Sequence, residues 1–553
     1  MSAADPVDAT WPLSLRPKKH KHGPHWHRCP VHRRHTCNHK NRCKHRLHRR
    51  PPATTPTTPT APSTPTPPPA PTTPPTPQPA TLADAELHLI RRFSYGYTPE
   101  LAAAVASAGG GAAWFRQQLD PASIADEAAD EVDDWWESLG LDAATLWQRD
   151  QDETERLWVA MSNYARWCLM RRIRSRRQVF EMVVEFWENH LHIPLEDDGV
   201  EVYRAAYGRT IREHALGRYD DLLVAAITHP AMSISLNNAN STKSAPNENL
   251  GRELLELHTV GRGNHTEDDV KSSARILTGY RIDMWRTWSA SYDPKRHWTG
   301  PVTVLDFHHD NADPDGRPVV EAYLRHLARH PRTAERVARK LARRFVSDDP
   351  SAALVDQLAQ VYLANDTAIV PVLLALVDTE EFQGSAGRKV RTPTDDVVAT
   401  YRAIGTRMTR PTSTESAAHC ILWQAEDVGQ GPFQWARPDG PPDANDAWSS
   451  ASRVLASFDL HYTAAGGWWP TEDVTYRSPE SWLPTGSVRF DAFVDHLSRE
   501  LFGKPPTPSL LSACATVVGI QPATTITADH GLIRWMFPAL LATLLDSPEH
   551  LLR

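Results

Sequence analysis

An all-α body behind a long N-terminal arm is the fold class this sequence predicts, and three observations predict it. From about Thr81 onward, apolar residues recur at helical spacing in one segment after another. Alternating β-branched runs are scarce and no Asn-Gly hairpin turn occurs. Before Thr81 the chain is a basic His/Cys-rich stretch and then a Pro/Thr-rich one, neither with a pattern that can build a core. The expected organisation is a disordered arm over residues 1–50 and a linker over 51–80. A large, irregular multi-helix domain with long ordered loops then fills 81–553, with a candidate subdivision near 410.

The arm concentrates positive charge. Residues 1–83 hold 13 Lys and Arg against two acids, Asp5 and Asp8, so they carry a net +11 while the rest of the chain carries −18. Such an arm can fold back on an acidic body or reach an anionic polymer or nucleic acid. Nine histidines between His20 and His48, with Cys29, Cys37 and Cys43, also suggest a zinc or copper site built from Cys29, His32, His35, Cys37 and Cys43. The Cys-x7-Cys-x5-Cys spacing is not a common zinc-finger spacing, so a plain polycationic tail stays open beside these two readings. The linker has 14 prolines in 30 residues. As polyproline II, at ~3.1 Å per residue, it spans about 90 Å.

The body then reads as helices. Asp84–Phe93 is short and amphipathic, Pro99 starts the next helix, and Gly109–Gly111 end it. Gly111–Leu119 and Glu153–Arg174 continue the pattern. Gln178–His192 sets Phe180, Val183, Val184 and Trp187 on a core face beside an acidic stripe of Glu181, Glu185 and Glu188, and Pro194 stops it. Val202–Ala215 and Tyr219–Thr228 follow, then a polar loop in which Asn237, Asn238 and Asn240 suit caps and turns.

Asn247–Gly263 is the central stretch. Leu250, Leu254 and Leu257 make an apolar stripe, and Asn249, Glu253 and Glu256 a polar one beside it. Asn247 suits the N-cap and Gly261 the left-handed end. Thr266 and Asp269 form a capping box for the next helix, ended by Gly279. Residues 280–316 lose the helical period. Six aromatics between Tyr280 and Phe307 argue that this long loop is ordered. Late in the chain a weak echo pairs Leu341–Leu358 and Leu373–Phe382 with Leu497–Cys514 and Leu540–Leu551. Between the two copies, Gly429–Ala465 is rich in Pro, Gly and Trp. Cys168, Cys420 and Cys514 lie in apolar contexts and read as core residues.

Several blocks carry a family resemblance: HLIRRFSYGYTPE (88–100), EFWENHLHI (185–193), YRAAYGRTIREHALGRYDDLL (203–223), and NENLGRELLELHTVGRGNHTEDDVKSSARILTGY (247–280). LDFHHDNAD (305–313), ARKLARRFV (338–346) and VDTEEF (377–382) extend it. Together they resemble the bacterial DUF-1800 family over roughly residues 85–550, with the arm and linker outside. The resemblance implies an α-helical fold and a bacterial origin. It implies no activity, since the family has none established. Two positions depart from its pattern: Gly251 stands where Ala is usual, and His258 where an apolar or aromatic residue is common.

The candidate chemistry lies in two clusters. Glu253 and Glu256 suit general acid/base roles or metal ligation, together with Glu185, Glu188 and His190 from the earlier helix. The alternative is an ion network with Arg204, Arg209, Arg212, Arg252 and Arg275. In the 280–316 loop, Asp293, His297 and His309 suit ligands or acid/base groups, against a role in ordering the loop. A divalent metal such as zinc is the cofactor these sets would take. No Gly-x-Ser-x-Gly, P-loop, Rossmann fingerprint or His-Glu-x-x-His occurs in the body.

Two function classes follow. One is a binding or assembly protein tethered to an anionic partner by its arm, which the lack of a catalytic motif favours. The other is a metal-assisted or acid/base hydrolase-like enzyme with a site between the 247–261 helix and the 280–316 loop. No run approaches 18 apolar residues, so no membrane span is expected. The N-terminus has no apolar signal-peptide core, which predicts a cytoplasmic protein; the resemblance, to a family often exported, keeps export open.

Overall fold

Helices dominate the computed structural model, which describes residues 82–553 apart from Glu196. Among the described residues every strand belongs to a two-stranded pair. The all-α expectation holds, and the arm and linker lie outside the described residues.

Local signals set the helix ends. Thr98 caps Pro99–Ala108 by accepting from Leu101 N, and Gly109 ends it at φ 90°. The Thr266–Asp269 capping box forms as the spacing predicts and opens Glu267–Ile276. The central helix begins where Asn247 Oδ1 accepts from Asn249 N at 2.9 Å. Its apolar stripe, Leu250, Leu254 and Leu257, is buried. Gly251 faces Glu267–Ile276 so closely that a Cβ there would sit 2.9 Å from Ala274 N. The departure from Ala at this position is therefore a close helix crossing, which outweighs the ~1 kcal/mol propensity penalty of glycine.

The 280–316 stretch is ordered by two small antiparallel hairpins. Tyr280–Ile282 pairs with Ala290–Tyr292, and Val302–Val304 with Phe307–His309. Trp288 and Val304 are buried beneath them. The late echo also has a structural counterpart. Pro331–Phe345, Ala352–Ala364, Ile369–Val377 and Glu380–Gln383 run in the same order of lengths as Phe490–Phe502, Pro508–Val518, Phe537–Leu545 and Pro548–Leu551. Cys168, Cys420 and Cys514 are buried free thiols.

The interior is unusually rich in charge. Arg92 is fully buried and donates to four backbone carbonyls, those of Phe345, Val346, Ser385 and Arg553, at 2.7–2.8 Å. Buried ions need such partners, because desolvation costs several kcal/mol per group.

Candidate functional site

The central helix changes pitch after Glu253. Leu254–His258 winds as a π turn, a local widening that recurs at functional sites. The carbonyl of His258, at its end, is used outside the helix: it accepts the hydroxyl proton of Tyr219, the first residue of Tyr219–Ile227. Since that hydroxyl proton points to a carbonyl, the Tyr219 oxygen accepts from His190 Nε2, 2.9 Å away. His190 therefore carries its proton on Nε2 and presents a lone pair at Nδ1. Lys340 Nζ, on Pro331–Phe345, donates to that lone pair at 3.1 Å. In the reverse direction, His258 Nδ1 donates to the His190 carbonyl at 3.0 Å. This leaves His258 Nε2 buried and, among the described residues, without a partner.

His190, Tyr219 and His258 are sealed in the core, and Lys340 is the part-buried end of the chain. Burial, with Arg336 and Arg343 nearby, lowers the Lys340 ammonium to about 8 although Asp443 and Asp439 pull the other way. Burial and the Lys340 charge hold His190 well below the usual imidazole range. Burial brings His258 down to about 3.

A segment of the Pro/Gly/Trp-rich stretch closes over this group. Leu195 N donates to the Phe433 carbonyl at 3.0 Å, and His192 Nε2 to that of Trp435 at 2.7 Å. Gly440 sits at φ +73°, where a Cβ would lie 2.1 Å from the Asn189 carbonyl. Only glycine lets the chain close on the end of Gln178–His190 and bring Asp439 and Asp443 within electrostatic reach of Lys340.

The predicted residues separate into paired and unpaired groups. Glu185 binds Arg172 and Arg344 at 2.9 Å each and accepts from Tyr95 at 2.9 Å. Glu188 meets Arg204 at 3.3 Å and the Tyr164 hydroxyl. Arg212 clasps Glu181 at 2.7 and 2.8 Å. Arg209 and Arg275, the other arginines expected in the network, go elsewhere: Arg209 binds the Leu139 carbonyl, and Arg275 stacks 4.9 Å from the Trp298 ring centroid. Glu256 is paired with Arg262 at 3.0 Å and lies 3.8 Å from Arg252. Among the described residues Glu253 has no such partner. One of its carboxyl oxygens is buried and unbonded, and burial together with Glu256 raises its pKa.

In the hairpin region, His297 is buried between the Thr278 carbonyl (3.0 Å) and Asn311 Oδ1 (2.9 Å), which ties the loop together. His309 is exposed and accepts from Asn311 N, and Asp293 caps Lys295 N. Among the described residues, no hydrogen bond or ion pair joins His297, His309 or Asp293 to Glu253 or Glu256. Asn237 adopts φ 59° and Asn238 anchors the Leu277 carbonyl, both turn roles. The arm set Cys29, His32, His35, Cys37 and Cys43 lies outside the described residues.

Lys340 escaped the sequence analysis because ARKLARRFV reads as an ordinary basic helix face. The signal available was His258, a histidine on an apolar stripe. A second group was also missed: Asp396, His461 and His550, all buried, have side-chain atoms within 4.8 Å of one another. They are far apart in the chain and belong to no local motif.

A family model described as a protein of unknown function, DUF1800, matches residues 88–552. No curated protein and no solved structure matches the chain.

Proposed function

The chain belongs to the DUF1800 family, whose function is unknown, and from this premise we propose that its body is an acid/base, hydrolase-like enzyme centred on Lys340. The observation that supports this most is the Lys340–His190 contact, in which a part-buried amine is held on a lone pair whose tautomer the Tyr219–His258 chain fixes. Glu253 is the opposite member of the pair. Asp439 acts on both groups, while burial pushes the lysine down and the carboxyl up. Environments that drive two groups toward neutrality from opposite sides assign a base and an acid. Lys340 takes a proton from the attacking water, and Glu253 gives one to the leaving group. In this reading the centre is formed by the π turn and the 433–443 segment and not by the 280–316 loop.

The test is limited acetylation with acetic anhydride across pH, read by peptide mass spectrometry. Lys340 should label with a midpoint near 8, against about 10.4 for an ordinary lysine side chain. A midpoint at the ordinary value removes the base from the proposal. A panel of chromogenic esters and phosphoesters then asks for turnover that is lost in Lys340→Met.

The arm supports a second reading, tethering to an anionic polymer or nucleic acid, on the strength of its 13 cations against two acids. Deleting residues 1–50 should abolish salt-sensitive retention on heparin. Retention that survives the deletion counts against it.

A further inference from the structure

We propose that Asp396, His461 and His550 form a binding site for one zinc-class divalent ion, separate from the Lys340 centre. The three come from three helices, Pro393–Ala403, Ala451–Ala465 and Pro548–Leu551, and all are buried. Asp396 Oδ1 lies 3.3 Å from His461 Nε2 and 3.4 Å from His550 Nε2. Charge-assisted hydrogen bonds close to ~2.7–2.9 Å, so both contacts are long for that purpose. Both match the edge of a tetrahedron around an ion with bonds of ~2.0–2.1 Å, which is ~3.3 Å.

The surrounding contacts are those a ligand set needs. His461 Nδ1 donates to Asp546 Oδ1 at 2.7 Å, which leaves Nε2 facing Asp396 and His550. A carboxylate behind a ligating imidazole fixes its tautomer and strengthens it as a donor to metal. The other Asp396 oxygen accepts from Ser457 at 2.6 Å and Arg453 at 3.1 Å, so Oδ1 is the one left for the ion. Thr400 Oγ1 is 3.3 Å from His550 Nε2, again too long to satisfy that nitrogen well. Two imidazoles and one carboxylate are zinc-type donors, with a fourth position left for water. A small cavity lined by Gly96, Tyr97, Arg391, Glu549 and His550 approaches from the His550 side. The ion would fasten the C-terminal segment to two helices of the body.

The arm's histidines and cysteines are candidate zinc donors of their own, so the test compares full-length proteins that share the arm. Wild type and His461→Gln are loaded with zinc, dialysed and analysed for metal per chain. Wild type should hold one equivalent more. In wild type alone, a chelator should lower the unfolding temperature of the body by several degrees and added zinc should restore it. This second measurement stands if the variant does not fold. Equal zinc in both proteins, or an unfolding temperature indifferent to the chelator, overturns the site and leaves His461 as an imidazolium between Asp546 and Asp396.

Discussion

The two ends of Gln178–His190 use similar residues for opposite ends. Along its first three turns, Glu181, Glu185 and Glu188 each meet an arginine, and Tyr95 and Tyr164 take up further oxygens. At its last residue, His190 meets a lysine whose pKa burial lowers to about 8, and its carbonyl takes the proton of a histidine whose other ring nitrogen has no partner among the described residues. A buried charge held by an opposite charge contributes to a specific packing even where, as at Glu188 Oε2, one oxygen makes no hydrogen bond among the described residues. A buried polar group left unpaired carries a desolvation penalty that a ligand can relieve. The difference separates architecture from a candidate site within one helix.

The largest expected effect comes from breaking the paired end. Arg172 is buried between Glu185 and Glu188. Arg172→Met leaves two carboxylates short of a cation and should cost about 3–5 kcal/mol in denaturant unfolding. A loss under about 1 kcal/mol would mean that the network is no more saturated than the Lys340 end. Next comes the segment that closes over Lys340. Gly440→Ala combines a positive φ with a 2.1 Å approach to the Asn189 carbonyl, and about 1–3 kcal/mol is expected. It should also move the Lys340 labelling midpoint, because an open segment rehydrates the amine and withdraws Asp439 and Asp443. An unmoved midpoint would detach the segment from the site.

Lys340→Met probes the unpaired end directly. The folded-state value of about 8 lies below the ordinary 10.5. Below pH 8 both states hold the proton, and the fold carries the full burden of burying it. Between 8 and 10.5 only the unfolded chain keeps it, so wild-type stability rises with pH. The variant lacks this gain. The difference in unfolding temperature should therefore move in favour of wild type from pH 8 to 10.5 and stay flat between 6 and 8.

How much of this was legible in the sequence follows from the range of each signal. The capping box at Thr266, the cap at Asn247, the start at Pro99 and the buried leucine stripe are local, and they formed as their spacing predicts. The acids of 178–190 were visible as a stripe, but their partners Arg171, Arg172 and Arg344 were not, because pairing depends on how helices cross. The π turn leaves no trace in a 3.6-residue pattern. Lys340 sits 150 positions from His190, and Asp396 meets His461 and His550 across 65 and 154 positions. Only the turn at Gly440 and the crossing at Gly251 hint at such approaches, and a glycine does not say what approaches it.

The smallest effect gives the comparison its sharpest form, because it concerns two glutamates of opposite sign. Burial pushes Glu181 up, but Arg212 and Arg171 outweigh it and hold the carboxyl at about 2. Its contribution to stability is present above the ordinary 4.5 and is lost as pH falls toward 2. Glu253 is raised by burial and by Glu256, so its ionised form is a burden above 4.5 that disappears once both states are protonated. At pH 7, Glu181→Gln should unfold more easily than wild type and Glu253→Gln less easily, the latter by a smaller margin because water screens its half-exposed carboxyl. As pH falls, the Glu253→Gln difference should close first, on the way down to 4.5, and the Glu181→Gln difference only below 4.5, toward 2. If Glu253→Gln is instead destabilised at pH 7 in the same way as Glu181→Gln, then Glu253 has a cationic partner and belongs to the architecture, and the acid of the proposed pair is lost.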